Sequence, residues 1–372
     1  MPLDPNKKTT RRRFLQGKDA VESLRDTLNP PAESLMPSQL IGSSESRQQA
    51  SHVLQFSKKA MGCQFEFIFN GTQYPRVADV VACAFELIEQ IEAEISIYRP
   101  HSPISQLNRN QPGQPVQFSP RAIKCFQVAQ EVSELTKGAF DITSGKLSEI
   151  WGFEQRAPAV PEPSQLGSLL NSVDFRSIEV DAVQGYVALR KANAKLNFGG
   201  IGKGFAIDEC RELLLAAGVT DFLIHGGQSS VAANGNRRTE NNDVAGQMKS
   251  GWRIGLTDPL IAESRLKEVR LVERCMGTSG SARQALFHQG KRLSHILDPR
   301  TGWSGEGAVS ATVIADSAAV ADALATAFCV MSRTEVERLC HALPEIAAVT
   351  FWLDRGQKMP EMVTFNTDAL EL

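Results

Sequence analysis

Leu196-Asn197-Phe198-Gly199-Gly200-Ile201-Gly202-Lys203-Gly204-Phe205-Ala206-Ile207 is the stretch on which the reading of the fold turns. An apolar strand end runs into four glycines within six residues, Lys203 stands among them, and an amphipathic helix follows. Glycines there let the backbone come close to a ligand. A helix start offers free N–H groups and partial positive charge to an anion. The local reading is a phosphate-handling turn between strand and helix; the plainer alternative is a tight turn with a solvated lysine. Neither familiar nucleotide motif fits. A Walker loop needs glycine where Asn197 stands and Ser or Thr where Gly204 stands, and a dinucleotide fingerprint needs a third glycine at Phe205 or Ile207.

Outward from that turn, apolar spacing predicts alternating strands and helices of the mixed α/β class. Upstream, alternation over 52–69 gives two strands broken near Met61-Gly62. The 3–4 spacing of Val77, Val81, Ala84, Ile88, Ile91 and Ile95 gives a helix over 76–96. The segment 101–118 reads as a loop, and a helix opens with Ser119 as N-cap and Pro120 behind it, stopping at Gly138. Residues 154–165, with three prolines, read as a linker, and 178–197 as antiparallel strands feeding the glycine turn. Downstream come a helix over 203–217, a strand over 222–225, a polar insertion over 234–250, and strands near 252–257, 268–276, 284–288, 292–297 and 308–315. A helix over 317–331, a helix over 334–343, a strand over 346–353 and a short tail close the chain. The helix at 317–331 carries Asp322 and Thr326 four residues apart, hence on one face of an otherwise Ala/Leu/Val surface. A buried aspartate needs a partner, and an Asp/Thr/carbonyl oxygen set suits a hard cation; Thr326 alone also reads as back-bonding to its own helix.

Length and composition bound the class. A chain of 372 residues can bury a substantial core, and a net charge of −2 without a basic aromatic face argues against a nucleic-acid partner. The seven cysteines form no CxxC pair and read as reduced core thiols, Cys83 and Cys329 among them. No run of about 18 apolar residues predicts a membrane span. Thr10-Arg11-Arg12-Arg13-Phe14-Leu15 looks like a twin-arginine export signal, but Lys18, Asp19, Glu22, Arg25 and Asp26 occupy the place of its apolar segment. The expectation is a polar leader over 1–50 and a folded domain over 51–372, in the cytoplasm, with export as the alternative.

Several further pieces stand in order: Met61-Gly62; Ser96 to Asn108; Gly138-Ala139-Phe140-Asp141 with Trp151-Gly152-Phe153; Gly199 to Gly204; Thr278-Ser279-Gly280; Ser294 to Gly302; and Ala321 to Ala327. Together they resemble the ApbE-type FAD:protein FMN transferases over about 52–352. The resemblance implies a two-lobed α/β fold with an FAD cleft and magnesium at the pyrophosphate. It implies transfer of FMN from FAD to a Thr or Ser hydroxyl of an acceptor protein, with release of AMP. It points to Gly200 (through its carbonyl), Asp322 and Thr326 as metal ligands. For FAD it points to Met61, Tyr98, Ala139, Phe140, Asp141, Asn197, Lys203 and Ile296, with Tyr98 stacking on a ring and Asp141 accepting from the adenine amine or a ribose hydroxyl. It places His295 at the scissile bond, where an imidazole can take the acceptor's proton, with Lys203 near the phosphates. Structural alternatives stay open for His295, Tyr98 and Asp141.

The chain departs from the family twice. It reads Ile224-His225-Gly226-Gly227-Gln228 where Asn-Ala-Gly-Gly-Asp is common, and Thr278-Ser279-Gly280-Ser281 where Thr-Ser-Gly-Asp is common. Each removes negative charge near the expected cleft while sparing the inferred ligands, and so bears on acceptor choice and turnover. Two other functions fit the same residues: an FAD pyrophosphatase using water, and a flavin-binding protein without catalysis.

Overall fold

Alternation through the first strands and helical spacing behind them build the elements of a computed structural model that describes residues 52–71, 73–154, 157–237, 251–257, 259, 265–281, 285–353, 357 and 359–367. In chain order these are β1 (Val53–Ala60), β2 (Cys63–Asn70), α1 (Val77–Ile95), α2 (Pro103–Leu107), β3 (Val116–Gln117), α3 (Pro120–Leu135), α4 (Gly145–Ile150) and α5 (Pro163–Leu170). Then follow β4 (Ile178–Asp181), β5 (Tyr186–Leu189), α6 (Gly202–Ala216), β6 (Phe222–Gly226), β7 (Ser230–Asn234), β8 (Trp252–Thr257), β9 (Arg265–Leu271) and β10 (Arg274–Gly280). The chain closes with β11 (Ala285–His288), β12 (Lys291–Ser294), β13 (Ser310–Ala315), α7 (Ala318–Phe328), α8 (Arg333–Ala342), β14 (Ala347–Trp352) and β15 (Glu361–Phe365). Among the described residues no helix is long and apolar enough to cross a membrane.

The central sheet has eight strands in the order β1-β2-β6-β7-β10-β13-β14-β15, antiparallel at every pairing. Phe65, Phe67, Ile224, Ala232, Cys275 and Val313 point to the face that packs with the helices in the main core. Residues one step away in register, Val231, Ala233, Met276, Ile314 and Val349, face a second core closed by Trp252, Leu256, Val269 and Leu271 of the β8–β9 hairpin. Period-2 alternation with both faces covered explains why β13 is buried at all six positions.

The contact that fixes the helical layer is between α6 and α7. Asp208 of α6 accepts hydrogen bonds from Ala318 N (2.7 Å), Ala319 N (2.9 Å) and Ser317 Oγ (2.6 Å), so one carboxylate serves the free N–H groups at the start of α7. Burial pushes the Asp208 carboxyl above its ordinary value, and these hydrogen bonds oppose the shift. Close approach needs glycine twice: a Cβ on Gly204 would lie 2.2 Å from Ala318 O, and one on Gly277 would lie 2.4 Å from Asp322 N. The first turn of α7 is thus seated between α6 and β10.

Most elements follow the sequence pattern, including the Ser119 cap, whose side chain accepts from Ala122 N. Differences are local. The expected loop over 101–118 holds α2, capped by Ser102, and the two-residue β3. The linker ends in α5, which opens on Pro163, a residue favoured in a first helical turn. Among the described residues no regular strand lies between Leu189 and the glycine turn, where there is an isolated parallel bridge, Ser144 to Lys195. The strand expected over 268–276 breaks at Val272-Glu273, where Glu273 takes φ 51°, and yields β9 and β10 in different sheets. The tail includes β15, which pairs with β14 through Thr364 and Met362. Cys83 is exposed, while Cys329 is buried as expected. The leader over 1–50 and most of the polar insertion, 238–250, lie outside the described residues.

Gly204→Ala is expected to destabilise the fold by about 1–3 kcal/mol, because backbone and not a flexible side chain opposes the new methyl. Thermal unfolding checks it, with roughly 2–4 °C lost per kcal/mol in a domain of this size.

Candidate functional site

The α6–α7 junction brings together residues far apart in the chain. Asp322, on the second turn of α7, is 2 % exposed. Its Oδ2 accepts from Gly204 N at 3.3 Å and stands 3.6 Å from Lys203 Nζ. Burial pushes its carboxyl above the ordinary aspartate value, and the Lys203 ammonium opposes this. Thr326 lies one turn on, and its Oγ1 sits 3.1 Å from its own helix's Asp322 carbonyl and 3.0 Å from Ser279 Oγ on β10. The back-bond read from sequence is therefore present. With Ser279 donating, Thr326 Oγ1 keeps one further lone pair as an acceptor.

The glycine turn closes over this corner. A Cβ on Gly200 would lie 3.2 Å from Thr326 Oγ1 and 3.2 Å from Phe140 Cε2, so Gly200 lies between the two. On Gly202 it would meet Met61 Cε at 3.3 Å. Met61, with φ 50° and its N–H donated to Glu92 Oε1 at 3.0 Å, is held beside the turn. Asn197 Oδ1 accepts from Gly199 N at 2.8 Å and shapes the turn from its strand side. Asn108 exchanges two hydrogen bonds with the Leu196 backbone, tying the segment after Tyr98 to the same approach. Met61, Phe140, Gly200, Lys203, Asp322 and Thr326 thus share one corner.

His295 and Ile296 are tied to α7 by another route. His295 meets Phe153 edge-on with centroids 6.3 Å apart; Phe153 stacks on Trp151, and Trp151 Nε1 donates to Gly302 O at 2.9 Å. Gly305 N donates to Ile296 O at 2.9 Å, and Gly307 N to Cys329 O at the end of α7 at 3.1 Å. The segment bearing His295 is therefore registered on the helix that carries Asp322 and Thr326.

Other expected contacts sit differently. Tyr98 is 75 % exposed on the loop after α1. Ala139 is buried beside Phe140. Asp141 is buried, its Oδ1 accepting from Thr143 N and Oγ1 and its Oδ2 from Phe175 N, so the turn-forming role is present. Burial raises its carboxyl, with the Thr143 hydrogen bonds opposing. The His225 departure faces away from Asp322: it lies on the sheet face covered by the β8–β9 hairpin, with Nε2 2.9 Å from Glu66 Oε2. Gln228 stands in the β6–β7 turn with φ 63°. Three residues went unread in the sequence: Asp208, Cys63 and Ser230. Cys63 lies near enough to feel the charges of Lys203 and Asp322, but burial dominates and pushes its thiol up. None carries a spacing signal, because each looks like an ordinary residue of its element.

The donor set tests well against a hard divalent cation. A buried carboxylate, a hydroxyl with a free lone pair and the adjoining Gly200 backbone are all oxygen donors, and among the described residues no group of three His, Cys, Asp or Glu offers a softer site. Lys203 and the N–H groups at the start of α6 supply positive charge beside it.

The ApbE family model matches residues 61–350. The FAD:protein FMN transferase of Haemophilus influenzae is 27% identical over 299 residues, which is 76% of this chain and 82% of that protein. That of Treponema pallidum is 29% identical over 278 residues, 73% of this chain and 76% of the relative. The solved flavin transferase ApbE of Vibrio cholerae superposes with a TM-score of 0.72 at 22% identity, covering 84% of this chain and 97% of that one, and shares the fold.

A cation and a proton compete for the Asp322 oxygens. Since burial lifts its carboxyl above the ordinary 3.8, divalent-cation affinity is expected to fall as pH falls, starting above the range of an exposed aspartate. Calorimetric titration with Mn²⁺ from about pH 7.5 down to about pH 5 checks this; affinity flat across that range would contradict it.

Proposed function

Because the chain belongs to the ApbE family, we propose that it is an FAD:protein FMN transferase that uses Mg²⁺, modifies a Thr or Ser hydroxyl of an acceptor protein and releases AMP. The observation that carries this reading is the convergence of Gly200, Lys203, Asp322 and Thr326, from a glycine turn, the start of α6 and the body of α7, in one corner.

Asp322, Thr326 and the Gly200 carbonyl are the residues suited to hold the cation, which when bound neutralises charge on the diphosphate. Lys203 contacts phosphate oxygens at the start of α6. Met61 and Phe140 pack the walls of the turn, and Asn197 keeps its backbone in the shape that admits a ligand. Tyr98, exposed on the loop after α1, is the ring that this reading stacks on the flavin or the adenine. Ala139, Asp141 and Ile296 complete the FAD contacts in this reading, Asp141 by shaping the Phe140 turn.

In the transfer, the acceptor hydroxyl oxygen forms a bond to the FMN-side phosphorus. The P–O bond to the AMP phosphate breaks, and AMP departs with that oxygen. His295, held by the Phe153–Trp151 stack, takes the hydroxyl proton. Nothing in the flavin ring changes redox state.

The test is purified protein with FAD and Mg²⁺, with and without a Thr-containing acceptor fragment, followed by chromatography and intact mass. An acceptor heavier by one FMN with AMP released is the expected result. Free FMN and AMP without acceptor would mean a pyrophosphatase, and intact bound FAD a binding protein. His295→Ala is expected to lower the transfer rate by about 10²–10⁴-fold while FAD affinity stays within about threefold; equal losses would make His295 a binding residue. Asp322→Ala is expected to remove Mg²⁺-dependent turnover by at least about 100-fold with the fold kept, which circular dichroism checks.

A further inference from the structure

Met61 sits at the tip of the β1–β2 hairpin, in a two-residue turn closed by the Ala60–Cys63 pair. Its φ is 50° and that of Gly62 is 73°. Glycine or asparagine takes the first of these positions at lower cost than methionine, so a strained methionine there points to a use for its side chain. That side chain lies against the glycine turn and the end of α1: a Cβ on Gly202 would meet Met61 Cε at 3.3 Å and Ile95 Cδ1 at 3.1 Å. Glu92, in the last turn of α1, holds the tip. Its Oε1 accepts from Met61 N at 3.0 Å, and its Oε2 from Arg99 Nη2 at 2.8 Å. A carboxylate in the last turn of a helix stands at the negative end of the helix dipole, where the fold alone favours a cation. The Arg99 arm acts on the loop after α1. Ser102 Oγ donates to Ser96 O at 2.7 Å and Ser105 Oγ to Ile97 O at 3.3 Å, so exposed Tyr98 has an anchored neighbour on either side.

We propose that Glu92 is a positioning residue for FAD, setting the Met61 turn and the Tyr98 loop at one fixed separation through the two oxygens of a single carboxylate. Met61 comes from the hairpin and Tyr98 from the end of α1, and Glu92 is bonded to the first and to the neighbour of the second. Tyr98 is too exposed for packing to hold it, so its place depends on the residues beside it. A wall and a ring held in advance spare the ligand the cost of ordering them. Glu92 therefore acts on FAD binding and leaves the chemistry at phosphorus to Lys203, Asp322, Thr326 and His295. The inference rests on the proposed transferase, in which Met61 and Tyr98 border FAD.

Glu92→Gln keeps the shape of the side chain but puts an amide N–H₂ where one acceptor oxygen stood, so one arm is lost whichever way the amide lies. FAD titration of the full chain tests it, with transfer kinetics on the acceptor fragment and thermal unfolding alongside. The FAD Kd and KM are expected to rise about 5- to 20-fold while kcat stays within about threefold. A lower melting temperature with an unchanged FAD Kd overturns the inference, making Glu92 a structural group. Because Glu92 acts through Met61 and Tyr98, Glu92→Gln is expected to change the Kd by less than about twofold when added to Met61→Ala with Tyr98→Ala; its full effect in that background also overturns the inference. The single variants Met61→Ala and Tyr98→Ala separate the two claims. If both bind FAD as the wild type does, the FAD contacts are misplaced and the proposed reading falls with the inference. If both weaken FAD binding and Glu92→Gln does not, the inference falls alone.

Discussion

The Asp208 carboxylate holds the rest of the site in place. From the middle of α6 it gathers two backbone N–H groups and the Ser317 hydroxyl at the start of α7. A charged group hydrogen-bonded inside a low-dielectric core interacts more strongly than one at the surface. Its geometry sets both the separation and the rotation of the two helices. Lys203 lies five residues before Asp208 on α6, and Asp322 five residues after Ser317 on α7, so fixing one helix against the other fixes the lysine against the carboxylate. Gly204 and Gly277 make the arrangement sterically attainable from opposite sides of α7.

The sequence showed the ends of this construction and not its middle. Asp322 and Thr326 were legible because a carboxylate and a hydroxyl one turn apart contradict the Ala-rich face around them, and all residues of α7 except Thr326 are buried. The glycine turn was legible because glycine density has few structural meanings. Asp208 was not. A single aspartate on an amphipathic helix has the spacing of the solvent face, and only the tertiary approach of α7 turns it into a buried cap. His225 misled in the opposite sense: sequence adjacency to Gly226 and Gly227 suggested the cleft, but period-2 alternation sends it to the far side of the sheet, against Glu66. The strand β15 was missed because a short polar tail becomes a strand only when it finds the edge of β14.

A second support works independently of the helices. Trp151, Phe153 and Trp303 form an aromatic group in which Trp151 contacts both others, and His295 sits at its margin. The Trp151 indole N–H to Gly302 O joins the end of α4 to the turn after His295. That turn is braced by Asp298, which accepts from Arg300 N and pairs with the Arg300 guanidinium, while Arg300 also reaches Glu335 of α8. Imidazole position therefore depends on packing of large rigid rings, and carboxylate position on a helix cap. The two supports meet through the chain that returns by Gly305 and Gly307 to the end of α7, and through Glu154, beside Phe153, which accepts from Lys195 and Asn197 at the entrance to the glycine turn.

The polar groups of the corner are individually unfavourable in the free protein. Asp322 is buried with its charged form disfavoured, and Lys203 approaches it only to 3.6 Å. An apolar replacement at any of these positions would suit the fold alone better. They can be tolerated because they are placed on the most tightly packed element available, where Ala318, Ala321, Ala323, Ala325 and Ala327 leave α7 no room to relax away from them. A looser helix would let the carboxylate turn toward solvent and relieve the strain without any ligand. Rigid packing forbids that escape, so relief for the carboxylate has to come from outside as positive charge, which is what the proposed cation would bring to this corner.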